Sequence, residues 1–99
     1  MEALIRDILN RFCDQHGGGL RETQIGPGRY GGFYITLVWD GFATMQVMER
    51  QSALLTALAS EIGPSVYQVV RNLHLVTYSE RAEEEAIAAA LPSDPSWLR

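Results

Sequence analysis

Ninety-nine residues with 46% hydrophobic content suffice for one domain with its own core and leave no room for a second. The formal charge is −4, lysine is absent, and eight arginines, spread from Arg6 to Arg99, carry all the fixed positive charge. That thin spread argues against general nucleic-acid binding, which needs clustered basic residues to displace counterions.

Cys13 is the only cysteine, so no disulfide can form within the chain, and a reducing cytoplasm is the expected setting. The N-terminal MEALIRDILNRF is amphipathic rather than a charged leader before an apolar run. No stretch approaches the roughly 20 apolar residues that span a bilayer.

From Met1, apolar residues at Leu4, Ile5, Ile8, Leu9 and Phe12 recur at helical spacing, and Gly17-Gly18-Gly19 ends the pattern. Leu20 to Ile25 alternates weakly and carries Arg21, Glu22 and Gln24, as an exposed or edge strand would. The glycine-rich run from Gly26 to Gly32 is expected to be a flexible loop. Phe33, Ile35, Leu37 and Trp39 then share one face of a strand whose other face holds Tyr34, Thr36 and Val38.

At Asp40-Gly41 two continuations are open. One is a two-residue hairpin turn returning through Phe42 to Met48, and the other a short irregular connection into a helix. After Glu49, residues Gln51, Leu54, Leu55, Leu58 and Ile62 line one face of that helix, and Gly63-Pro64 stops it. The last strand lies within Val66 to Tyr78, with Leu73, Leu75 and Thr77 alternating against His74, Val76 and Tyr78. Ser79 is the expected N-cap of a final helix running to about Leu91, with Glu80, Glu83, Glu84 and Glu85 near its positive end.

The order is α-β-β-α-β-α, a small mixed or antiparallel sheet of three or four strands covered by helices. Residues 1–91 form the single α+β domain, and 92–99 a tail in which Trp97 and Leu98 either dock on the body or anchor a partner.

Side chains with chemical potential are sparse. Cys13 and His16 stand three apart at a helix end, close enough to reach one metal, but a structural site needs two more ligands and His74 is the only other strong candidate. The plainer expectation is a core thiol beside a surface histidine. His74, a lone histidine on the strand face shared with Val76 and Tyr78, is expected to be hydrogen-bonded or partly exposed rather than ligating, and Glu83 to Glu85 to be a solvated face. No nucleophile elbow, phosphate loop or nucleophile-base pair occurs, so an enzyme is not expected.

Gly28-Arg29-Tyr30-Gly31 spells the Gly-x-x-Gly of an RNA clamp, but that motif joins two helices and this one precedes a strand. Arg50 sits near the positive end of its helix, where a cation is electrostatically misplaced. A surface ion pair with Glu49 or Asp40 is the expected explanation.

With these residues in place, Gly32 to Ile62 resembles the BolA family. The likeness rests on the strand Phe33-x-Ile35-x-Leu37-Val38, then Asp40, Phe42 and Arg50, and a helix carrying Leu54, Leu55, Leu58, Ala59 and Ile62. The helix from Ala3 to Phe12, the strand ending in Leu73-x-Leu75-x-Thr77-Tyr78-Ser79 and the acidic start of the last helix extend it. The resemblance implies a KH-like fold without the RNA loop, and a cytoplasmic or organellar adapter for monothiol glutaredoxins, often sharing a [2Fe-2S] cluster. Some family members are transcriptional regulators.

The departures are specific. The family's hallmark histidine falls on Tyr67 or Arg71, its loop ligand is missing from Ile25 to Gly32, and its basic cluster shrinks to Arg50, followed by Gln51 and Ser52. Cluster sharing would then require His74 as a substitute, and no cofactor is expected of the isolated chain.

The expectation is a non-enzymatic adapter, monomeric or weakly dimeric, with Arg50, Arg71, Tyr67 and Trp97 as partner-binding candidates. The alternative is an acidic, dedicated protein-binding module such as an inhibitor, immunity protein or assembly factor, working through a sheet edge or the Trp97-Leu98 tail. A double-stranded-RNA domain ranks last, because Glu49-Arg50-Gln51-Ser52 lacks the basic opening that such a domain needs.

Overall fold

The computed structural model describes residues 1–90. Helix α1 (Glu2–Gln15) buries Ile5, Ile8, Leu9, Phe12 and Cys13 along one stripe. It ends where the Cys13 carbonyl accepts the amides of His16 and Gly18, and the chain turns through Gly17, Gly18 and Gly19, all at positive φ. Three successive left-handed residues strongly favour glycine, which is why the helix stops here.

Strand β1 (Arg21–Pro27) follows and pairs antiparallel with β2 (Phe33–Trp39), from Arg21 opposite Trp39 to Pro27 opposite Phe33. The strand therefore reaches two residues past Ile25, and the loop is correspondingly shorter than the glycine content implied.

The fork after Trp39 resolves toward the helix. Asp40–Thr44 form a short 3-10 helix, η1, and Gly41 is not at the positive φ that a two-residue hairpin needs. The cause is packing. Phe42 is fully buried, its ring edge-on to Trp39 at 5.1 Å, and the Trp39 indole lies so close to Gly41 that a Cβ there would stand 2.1 Å from it. Turning Phe42 outward into a hairpin would surrender about 1.5–3 kcal/mol of aromatic burial.

Helix α2 (Val47–Ile62) presents Arg50, Leu54 and Leu58 inward, and Gly63, at φ 87°, ends it. One turn of helix, α3 (Val66–Val69), which the strand-like spacing of its apolar residues conceals, precedes β3 (Val70–Val76).

β3 runs parallel to β2, with Ile35 opposite Leu73 and Leu37 opposite Leu75, so the sheet is mixed and ordered β1-β2-β3. A parallel pair requires a long crossover, which residues 40–69 supply. Ile35, Leu37 and Trp39 join Leu54, Leu58 and the α1 stripe in one core. Among the described residues α4 (Tyr78–Ala90) lies on the opposite sheet face, and it has no buried residue of its own. The result is an α+β domain with a three-stranded mixed sheet. Among the described residues no helix is long and apolar enough to cross a membrane.

Candidate functional site

Arg50 is the most heavily committed polar side chain. It is 5% exposed, and its guanidinium donates to the Met45 carbonyl (3.1 Å), to the Leu75 carbonyl (3.1 Å) and to both carboxylate oxygens of Glu80 (2.6 and 3.2 Å). It also lies 5.5 Å from the Phe42 ring centre. The expected surface pair with Glu49 or Asp40 is thus replaced by a clamp joining α2, β3 and α4, and Asp40 instead accepts the Tyr78 amide at 3.0 Å. A buried guanidinium demands several acceptors, and only the crossover brings Glu80 within reach.

Glu80 is shared with the start of α4. The Thr77 hydroxyl accepts the Glu80 amide (3.1 Å), while Glu80 Oε1 accepts the Thr77 amide (2.8 Å). This reciprocal capping box makes Thr77 the cap in place of Ser79. The Arg50 hydrogen bonds, and then the Thr77 amide, pull the Glu80 carboxyl down to about 2.

The metal-binding candidates do not converge. Cys13 is fully buried in the core, where loss of solvent pushes its thiol up to about 11, the inert protonated form. His16 Nδ1–H donates to the Phe12 carbonyl at 2.8 Å, and its ring stacks on Phe12. His74 lies on the other sheet face, with Nε2 2.9 and 3.1 Å from the two Glu84 oxygens. Among the described residues no three His, Cys, Asp or Glu side chains assemble as ligands.

A [2Fe-2S] cluster needs thiolate or imidazole donors aimed at one point. The β1–β2 loop supplies none, and His74 is held by a carboxylate. The residues present do not fit that group.

His74 and Glu84 belong to a cavity of about 400 Å³ between α4 and the open sheet face, floored by Gln24, Thr36 and Val38. A second ion pair, Arg81 with Glu22, crosses the same space. The Tyr78 hydroxyl is buried without a hydrogen-bond partner among the described residues, and the Arg81 guanidinium lies over its ring. Desolvation raises the Tyr78 pKa.

The partner-binding candidates divide. Tyr67 is 70% exposed on α3, and Arg71, exposed at the start of β3, borders the same shallow groove. Trp97 lies outside the described residues. Arg29 and Tyr30 in the β1–β2 loop entered the sequence reading only within the Gly-x-x-Gly spelling and were not singled out for partner binding. Tyr30 is 83% exposed, the Arg29 guanidinium stands 5.8 Å from its ring centre, and Arg71 reaches the Tyr30 carbonyl in a long contact of 3.5 Å.

The loop is seated rather than free. Gly28 N–H donates to the Gly32 carbonyl at 2.8 Å, and Gly32, at φ 70°, lies where a Cβ would stand 2.8 Å from the carbonyls of both Gln68 and Val69. The paired glycines around Arg29-Tyr30 were the available signal, although nothing in their spelling shows that they dock on α3.

Comparison of the chain with protein-family models, curated proteins and solved structures finds no match.

Proposed function

We propose that this chain is a non-enzymatic interaction adapter on a BolA-like frame, and that a monothiol glutaredoxin is the partner to test first. The observation that supports this is the crossover. β2 passes through a brief 3-10 bend into an Arg50-bearing helix and returns as a parallel β3, in the order on which the resemblance rests. The adapter holds its partner by protein contacts and contributes no cluster ligand, because the β1–β2 loop has neither histidine nor cysteine and His74 is engaged by Glu84.

The test is co-elution of the tag-free chain with a monothiol glutaredoxin on size exclusion, with a visible spectrum of the complex fraction. A complex whose colour does not depend on His74 supports the proposal. Separate elution of the two proteins removes the glutaredoxin assignment.

A second reading, a dedicated protein-binding module unrelated to iron-sulfur chemistry, is favoured by the exposure of Tyr67 and Arg71, on one or the other of which the family's hallmark histidine falls. Tyrosine and arginine are the side chains that anchor protein interfaces. Under that reading glutaredoxin does not bind, and a different partner depends on Tyr67 and Arg71.

A further inference from the structure

Seven arginines lie among the described residues, and five of them reach a carboxylate. Arg6 pairs with Glu2, Arg11 with Asp7 and Glu61, Arg21 with Asp14, Arg50 with Glu80, and Arg81 with Glu22. The remaining two, Arg29 and Arg71, have no carboxylate partner there, and both touch Tyr30 at the same end of the sheet. The segments that build this end, residues 23–39 and 62–79, contain no Asp or Glu. A chain of net charge −4 therefore carries one locally cationic end, with the exposed rings of Tyr30 and Tyr67 beside the two guanidiniums.

We propose that this end docks an acidic segment of a partner protein, whose carboxylates take Arg29 and Arg71 while its apolar side chains lie on Tyr30 and Tyr67. The inference rests on the interaction reading above and names the chemistry of the partner. Charge complementarity selects the occupant. Two cations suit a short run of carboxylates, whereas a nucleic-acid backbone requires many and would be repelled by the acidic remainder of the chain.

The surface is also built in advance. Gly32 sits against the α3 carbonyls of Gln68 and Val69 and the Arg71 side chain with no room for a side chain of its own, so the loop carrying Arg29 and Tyr30 is held against α3 and the strand carrying Arg71. Anchors fixed before binding lose less entropy on docking.

The test is an NMR amide-shift titration of the full chain with the peptide acetyl-Glu-Asp-Phe-Glu-Glu-amide. Its Gln/Asn counterpart and a single-stranded oligothymidine serve as comparison ligands, and wild type, R29Q/R71Q and R6Q as proteins. Glutamine keeps the aliphatic stem that lies against Gly32, so the double variant is expected to fold as wild type does, which the unliganded spectrum verifies. The expected result is a set of shifts confined to residues 28–32 and 67–72 that the neutral peptide does not cause. Affinity falls about tenfold in R29Q/R71Q and is unchanged in R6Q.

Scattered shifts, no shifts, equal response to the neutral peptide, or unaltered binding by R29Q/R71Q would each overturn the proposal. So would tighter binding of the oligothymidine at the same amides, which would make this a nucleic-acid surface. An intact glutaredoxin complex with R29Q/R71Q discards this patch alone, whereas peptide binding without any glutaredoxin complex discards only the assignment of glutaredoxin as partner.

Discussion

At the scale of single residues, three positions have consequences that can be measured. Arg50 is desolvated and held by four hydrogen bonds, so truncating Glu80 leaves an under-compensated cation inside the fold. E80A is expected to cost about 2–3 kcal/mol, below the full penalty for a buried pair because Glu80 itself is partly exposed. R50K should cost a comparable amount, since an ammonium cannot fork onto a carboxylate while also reaching two carbonyls. Urea unfolding checks both, and a loss under ~0.5 kcal/mol would demote the clamp to a surface pair. Cys13, buried and with its thiol raised, should resist a disulfide reagent until the chain unfolds. Rapid labelling of the native protein would contradict the placement of its side chain. G32A combines a disfavoured φ with two carbonyls at 2.8 Å and is expected to lose about 2–3 kcal/mol in the same assay.

At the scale of elements, the ends and edges decide more than the interiors. Thr77 and Glu80 start α4 reciprocally, so T77A should lower stability by about 1 kcal/mol, whereas S79A should be near neutral. The outer edge of β3 is guarded by side chains of α2. Gln51 Nε2 donates to the Leu73 carbonyl at 2.8 Å and Arg50 to that of Leu75, which occupies acceptors that an added strand would use.

These elements were unequally visible in the sequence. The strand from Phe33 to Trp39 and the helical spacing of α1 are local and survive into the structure, except that Leu4 is exposed, Cys13 joins the stripe and Val38 is buried on the other strand face. The capping box was also present, as Thr77-Tyr78-Ser79-Glu80, but the acidic run after it drew the cap two residues too far along. The single turn of α3 was hidden because Val66, Val69 and Val70 suit a strand as well as a helix. The Asp40-Gly41 ambiguity could not be settled locally, because its resolution depends on Phe42 entering a core assembled from α1, β2 and α2.

For the whole molecule, what was illegible was long-range pairing. Arg50 meets Glu80 across thirty positions only once the crossover has placed α4, and the isolation of Arg29 and Arg71 emerges only when every other described arginine has found its carboxylate. The clamp also sets an acid response. The Glu80 carboxyl is lowered from its ordinary 4.5 to about 2, so its contribution to stability is present above pH 4.5 and is lost as pH falls toward 2. Wild type should therefore lose its advantage over E80Q across that interval, as followed by thermal unfolding. A constant difference would show that Glu80 does not titrate against Arg50.

The clamp holds the frame, the frame seats the glycine loop, and that end of the sheet presents Arg29 and Arg71, which no described carboxylate neutralises. Isothermal titration of the tag-free chain with a purified, cluster-free monothiol glutaredoxin tests most directly whether that frame is a glutaredoxin adapter. A saturable one-to-one complex formed without iron is the result predicted, and the absence of binding in both the cluster-free and the cluster-loaded glutaredoxin would contradict it.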